Sequence, residues 1–214
     1  MSYEDQRAKM VRQQLEDRGI RDQRVLEAML EVPRHEFVVE ELWSEAYEDH
    51  PLPIGAGQTI SQPYIVAVML QHLSLRPEDR VLEVGTGSGY ATALLSRLCA
   101  RVDSIERHAE LAESARLVLA RLGYSNVRIV VGDGALGLPQ YAPFDAILVS
   151  AAAPTVPPAL FAQLTEGGRM IVPVGNAAVQ QLQLVRKLNG QAEVAGLEGC
   201  RFVPLVEGDI AVRE

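Results

Sequence analysis

Cysteine is scarce. The 214 residues hold two, Cys99 and Cys200, far apart, with no C-x-x-C pair and no histidine pair close by. That spacing leaves no zinc or other metal site to expect, and the low count fits a reducing compartment. Positive charge is also short: 20 Lys and Arg stand against 28 Asp and Glu, with no long basic block. A protein that clamps nucleic-acid phosphates is therefore disfavoured. Long apolar runs are missing too. The longest uncharged stretch, Ala146 to Thr165, is broken by Pro154, Pro157 and Pro158, which suits a strand and a loop better than a membrane span. The opening M-S-Y-E-D-Q-R-A-K lacks the apolar core of a signal peptide, so a soluble cytoplasmic chain is expected. Aromatics make up only 5%, yet Phe37, Trp43 and Tyr47 cluster, and core anchoring is the expected role of Trp43. His35, His50, His72 and His108 are scattered singly, each expected to be solvated or hydrogen-bonded.

What is present is ample for a core: 48% of residues are hydrophobic, and the length suits one domain with an extension. Glu4 to Asp17 reads as a helix with Met10, Val11 and Leu15 on one side, ended by Gly19. Asp22 is placed to cap a second helix, which stops at Val32-Pro33. Pro51 to Pro63 is too rich in proline and glycine to be read as helix or regular strand. A helix follows, with Val66, Met69, Leu70 and Leu73 at helical spacing, and Ser61 is a candidate for its N-cap.

From Val81 onward, strands and helices alternate. The predicted strands are Val81 to Val84, Val102 to Ile105, Val127 to Val131, Asp145 to Val149, and Arg169 to Val174 after a Gly167-Gly168 turn. Such alternation implies a parallel sheet covered by helices and joined by right-handed crossovers. The tail differs: Gln181 to Lys187 alternates, Asn189-Gly190 signals a hairpin, and Ala192 to Leu205 offers further strand material.

The stretch that organises the rest is R-V-L-E-V-G-T-G-S-G-Y, Arg80 to Tyr90. A buried strand runs into Gly85, Gly87 and Gly89 and then into a helix, so a ligand can lie against bare backbone at the helix N-terminus. Pyrophosphate-binding turns follow G-x-G-x-x-G. The tighter G-x-G-x-G preceded by Glu83 is the pattern associated with S-adenosylmethionine, although taken alone it is also compatible with a structural turn or a nicotinamide site. Glu106, at the tip of the next strand, is placed to accept both ribose hydroxyls of an adenosine, or to offset the macrodipole of the following helix. Asp133, between Gly132 and Gly134, could accept from an adenine amino group or stabilise a turn.

These residues resemble the protein-L-isoaspartate (D-aspartate) O-methyltransferase family. The likeness runs through Val32 to Phe37, Leu52 to Pro63, Val81 to Tyr90, Gly132 to Gly134, Phe144 to Pro154, Gly168 to Gly175 and Arg201 to Leu205, and its most specific part is the loop Gly57-Gln58-Thr59-Ile60-Ser61-Gln62-Pro63. The resemblance implies an α/β fold: a doubly wound, mostly parallel Rossmann-like sheet with an N-terminal helical extension and an antiparallel C-terminal hairpin. Residues 1–63 would form the extension and active-site loop, and 64–214 the core. It implies S-adenosylmethionine as cofactor, and as substrates isoaspartyl-containing peptides and damaged proteins; a monomer is expected, although the sequence carries no signal for oligomeric state. By position, Ser61 would be the active-site serine, with Gln58, Thr59 and Ile60 lining the transfer site. Glu83, Gly85, Thr86, Gly87 and Gly89 would hold the methionine end, Glu106 the ribose with Arg107 beside it, and Asp133 with Gly134 the adenine. After Leu205 the tail, Val206-Glu207-Gly208-Asp209-Ile210, departs from the family's glycine-rich, often tryptophan-containing end.

Other methyltransferases fit less well. After Val149 comes Ser150-Ala151-Ala152-Ala153-Pro154, without the acid or amide and stacking ring that hold a base amine, and neither cysteine has the adjacent proline of a cytosine-C5 enzyme. A non-enzymatic binding module would keep the glycine turn without needing the Thr59-Ile60-Ser61 loop.

Overall fold

The computed structural model describes residues 2–208, 210, 212 and 213. Ser2 and Asp5 form a reciprocal capping box that starts α1 (Tyr3–Met10). The single helix expected to Asp17 changes winding instead. A π-helical turn, Val11–Leu15, and a 3-10 turn, Glu16–Arg18, carry it to Gly19, burying Met10, Val11 and Leu15 on the way. Asp22 caps α2 (Gln23–Glu31) as expected, its Oδ1 accepting from the N–H groups of Arg24 and Val25. Beyond α2, Tyr3 stacks on His35 at 4.1 Å, and Tyr47 holds the His35 ring at 2.7 Å. Trp43 meets both Tyr3 and His35 edge-on and is only half-buried.

Pro51 to Pro63 also departs from expectation. Far from irregular, it forms an antiparallel hairpin of β1 (Leu52–Gly55) and β2 (Gln58–Ile60). Ala56 and Gly57 both take positive φ, 50° and 70°, the geometry of a tight two-residue turn. Proline is compatible with such a ribbon because each of its two strands has a free edge. Helix α3 (Pro63–Leu73) follows and buries Val66, Met69, Leu70 and Leu73.

The main sheet comprises β3 (Arg80–Val84), β4 (Arg101–Glu106), β5 (Val127–Val131), β6 (Phe144–Val149), β7 (Leu164–Gly175), β8 (Gln180–Leu188) and β9 (Gln191–Cys200). Its order is β5-β4-β3-β6-β7-β8-β9, parallel from β5 to β7 and antiparallel across β7, β8 and β9. Helices α4 (Tyr90–Leu98), α5 (Ala109–Arg121) and α6 (Pro158–Ala162) make the crossovers. Alternate strand residues serve opposite faces: Val81, Val102, Ala146 and Leu148 pack with the N-terminal layer, α3, α4 and α5. Leu82, Val84, Ile105, Ile147 and Val149 pack with Leu138, Phe144 and Leu160 on the other face. Strand order reverses between β3 and β6, and that switch point opens a crevice at the carboxyl ends of the strands.

Two further differences matter. Gly167 and Gly168 do not precede β7 but bulge within it, so that Leu164 faces Phe144 while Arg169 faces Ala146. Residues 201–205 do not extend β9. They cross the carboxyl end of the sheet, where Ala152 donates to Val203 and accepts from Leu205. The chain then reaches the far edge, pairing Arg213 with Val131. Among the described residues, no helix is long and apolar enough to cross a membrane.

Candidate functional site

Past Val84 the backbone turns through Gly85, Gly87 and Gly89, all in the left-handed region at φ 92°, 53° and 89°. The glycines are bare for different reasons. A Cβ on Gly87 would come within 3.2 Å of Ile54 in the β1–β2 hairpin, so the turn and the hairpin nearly touch. A Cβ on Gly89 would meet Ala115 of α5 at 3.2 Å, so this glycine lets two helices approach. Glu106 fastens the turn from β4: its Oε2 accepts the Gly87 N–H at 2.9 Å, and its Oε1 the His108 N–H at 2.9 Å. Each oxygen keeps a free lone pair.

Turn, hairpin and tail enclose a cavity of about 350 Å³, within the range of small-molecule sites. Gln58, Thr59, Ile60 and Ser61 line it from one side and Gly85, Thr86 and Gly87 from below, with Glu106, Arg107 and Gly134 in the same wall. The Ser61 hydroxyl makes no hydrogen bond to a described residue, and Gln62, not Ser61, stands at the N-cap position of α3 with no side-chain cap. The capping role expected of Ser61 is therefore replaced by a free hydroxyl at a cavity wall.

Glu83, Gly89 and Asp133 lie outside this wall. Glu83 is buried beneath the turn, its Oε2 accepting from Thr92 at 2.5 Å and Ser104 at 2.6 Å, while Oε1 is buried without a partner. Burial, with the Glu106 charge adding to it, pushes its pKa up to about 7 against the pull of those two hydroxyls. Ser104 in turn holds the Thr86 hydroxyl at 2.5 Å, so Glu83 reaches the cavity only through that relay. Asp133 does what a turn-stabilising acid does: Oδ1 accepts from Ala135, and Oδ2 takes the Gly208 N–H of the tail at 2.9 Å.

A family model described as protein-L-isoaspartate (D-aspartate) O-methyltransferase matches residues 5–210. The chain belongs to that family. A protein-L-isoaspartate O-methyltransferase of Koribacter versatilis is 58% identical over 94% of this chain and 90% of its own length, and one of Methanoculleus marisnigri 54% identical over 94% and 91%. A solved protein-L-isoaspartate O-methyltransferase superposes with a TM-score of 0.85 at 34% identity, covering 94% of this chain and 66% of that one. A Plasmodium falciparum chain assigned to the same enzyme class, crystallised with S-adenosyl-L-homocysteine, gives 0.84 at 29%, over 94% of this chain and 99% of the other.

The cavity also recruits residues that strand-end reasoning did not name. Ser88, Tyr90 and Ala91 continue the glycine turn, His108 follows Glu106, and Ser150 and Ala151 follow β6. The last pair stands at a strand end like Glu106 and was open to the same logic. Val203 to Val206 are different, because an extended tail carries no local signal for where it will lie. Arg107 ties that tail down, donating to the Val206 carbonyl at 2.5 Å. A family cofactor bearing an adenosine and an amino-acid end fits this wall: Gly85 and Gly87 present bare backbone in the left-handed region, and Glu106 offers spare acceptors beside it.

Proposed function

We propose that this chain is an S-adenosylmethionine-dependent carboxyl O-methyltransferase acting on the free carboxylate of L-isoaspartyl and D-aspartyl residues in damaged proteins, the first step of their repair. The observation that carries the reading is the meeting of two motifs in one cavity: the glycine turn fastened by Glu106, and the Gln58 to Ser61 segment facing it. In this reading Glu106 takes the ribose, Gly85 to Gly87 the methionine end and Gly134 the adenine side, with Arg107 securing the tail over them. Glu83 and Asp133 support the wall from behind. S-adenosylmethionine, when bound, supplies a methyl group on a sulfonium.

The protein's part is modest in proton chemistry. An acceptor carboxyl with an ordinary pKa near 4 is already ionised at pH 7, so no strong base is needed. The Ser61 hydroxyl donates to that carboxylate and orients it. It is not a covalent nucleophile, since no histidine bonds it within the described residues. Holding the reactants in line can be worth an effective molarity of roughly 10⁵ M or more, and the apolar walls of Val66, Met69, Leu148 and Leu205 keep water away.

The 214 residues act as one catalytic unit, the first 63 supplying the hairpin and the rest the sheet, in a monomer in the cytoplasm that takes protein rather than nucleic acid. The net charge of −8 supports that choice of substrate. The test is methyl transfer from labelled S-adenosylmethionine to two peptides that differ only in one isoaspartyl or aspartyl linkage. Label confined to the isoaspartyl peptide is expected. Equal labelling of both, or of neither, refutes the reading.

A further inference from the structure

Ser61 has no bond of its own, so its direction must come from its neighbours in the chain. On one side the hairpin register pairs Ile60 with Leu52, and both are buried. On the other side the anchor is Asp49, in the segment before the hairpin. The Gln62 Nε2 donates both to the Asp49 backbone carbonyl, at 3.0 Å, and to its Oδ2, at 2.8 Å. The Asp49 Oδ1 accepts the Tyr64 N–H at 3.4 Å, the service to the first turn of α3 that an N-cap usually performs. Arg18 completes the clamp: its Nη1 pairs with Oδ2, and its guanidinium lies 3.5 Å from the centre of the Tyr64 ring. One carboxylate thus joins the end of the N-terminal helix, the pre-hairpin segment and α3.

We propose that Asp49 is a positioning residue for methyl transfer, fixing Gln62 and the first turn of α3 so that the Ser61 hydroxyl points into the cavity. The proposal rests on the reading of Ser61 as the group that orients the acceptor. Asp49 does not line the cavity, and its contacts run to Arg18, Gln62 and Tyr64. Its effect belongs in turnover and not in cofactor affinity. A displacement of about 1 Å at the orienting group can cost on the order of 100-fold in rate.

The experiment is a double-mutant cycle on the full chain. It measures kcat and KM for an isoaspartyl peptide, and the Kd of S-adenosylhomocysteine by calorimetry, for wild type, Asp49→Ala, Ser61→Ala and the double variant. Asp49→Ala should lower kcat about tenfold or more and leave the Kd within about twofold. In the Ser61→Ala background the same change should cost less than about twofold, because the hydroxyl it aims is gone. Gln62→Ala, which removes only the amide that Asp49 holds, should reproduce the pattern and decides the matter if Asp49→Ala does not fold. Asp49→Asn, which keeps one acceptor, should recover most of the lost turnover. Equal losses from Asp49→Ala with and without the serine hydroxyl overturn the proposal, as does unchanged kcat in Asp49→Ala or, where that variant does not fold, in Gln62→Ala. If Ser61→Ala itself leaves kcat unchanged, the role of Ser61 falls and this inference with it. Lowered kcat in Ser61→Ala beside normal turnover in Asp49→Ala removes this inference alone.

Discussion

Glu83→Gln separates the charge of a buried acid from its hydrogen bonds. The amide keeps one oxygen to accept from Thr92 and Ser104, as Oε2 does now, and places its nitrogen where Oε1 has no partner. The folded chain holds the Glu83 proton up to about pH 7, whereas the unfolded chain releases it near the ordinary glutamate value of 4.5. Between those limits the folded state binds more protons, so stability falls as pH rises through the interval, and the whole cost is present above about pH 7. That cost is on the order of 3 kcal/mol. For a chain of this length each kcal/mol moves Tm by about 2–4 °C, so the Tm of wild type should drop by roughly 6–12 °C relative to Glu83→Gln between pH 4.5 and pH 8. Near pH 4.5 wild type should be the more stable of the two, because its neutral carboxyl needs no second acceptor. Scanning calorimetry of both chains across that range supplies the comparison, and titrating groups that do not interact with Glu83 cancel in the difference. Two Tm curves that run parallel over the whole range would refute the reasoning, since they would show that Glu83 ionises as readily in the fold as in water.

Two glycines give further tests. Gly87→Ala puts a methyl group 3.2 Å from Ile54 at a φ of 53°, in the narrow space between turn and hairpin. It should weaken S-adenosylhomocysteine binding at least tenfold in calorimetry while costing only about 1–2 kcal/mol of stability; unchanged affinity would mean the turn is not the binding wall. Gly134→Ala would place Cβ 2.6 Å from Cγ1 of Val84, a clash with a side chain held in the core of the sheet. A loss of about 1–3 kcal/mol in urea unfolding is expected, partly relieved by Val84→Ala in the same chain, and no loss would mean that strand end is loose.

The sheet was legible because its signals are local. Val81 to Val84 and Val127 to Val131 read as strands from short apolar runs, and Asn189-Gly190 announced the β8–β9 hairpin by the two positive φ angles that such a turn needs. The glycine turn and Glu106 were legible for the same reason, both being fixed by their place at strand ends. The hairpin of Leu52 to Ile60 was not, because its strands are too short for alternation to register and proline argues against a strand anywhere but at an edge. Ser61 looked like an N-cap because residue type and the following proline fit, yet the first-turn N–H is met from Asp49, a partner 15 residues away that no local pattern reveals. The course of the tail over Ala152, Asp133 and Val131 is likewise set by contacts distant in sequence.

The central claim is that the turn at Gly85 to Gly87 and the hydroxyl of Ser61 serve one transfer. A crystal structure of the chain with S-adenosylhomocysteine and an isoaspartyl peptide measures it directly. The nucleoside should lie against Glu106 and the glycine turn, with a carboxylate oxygen of the isoaspartyl residue about 2.7 Å from the Ser61 Oγ. A cofactor seated elsewhere, or an isoaspartyl carboxylate held out of reach of that hydroxyl, would contradict it.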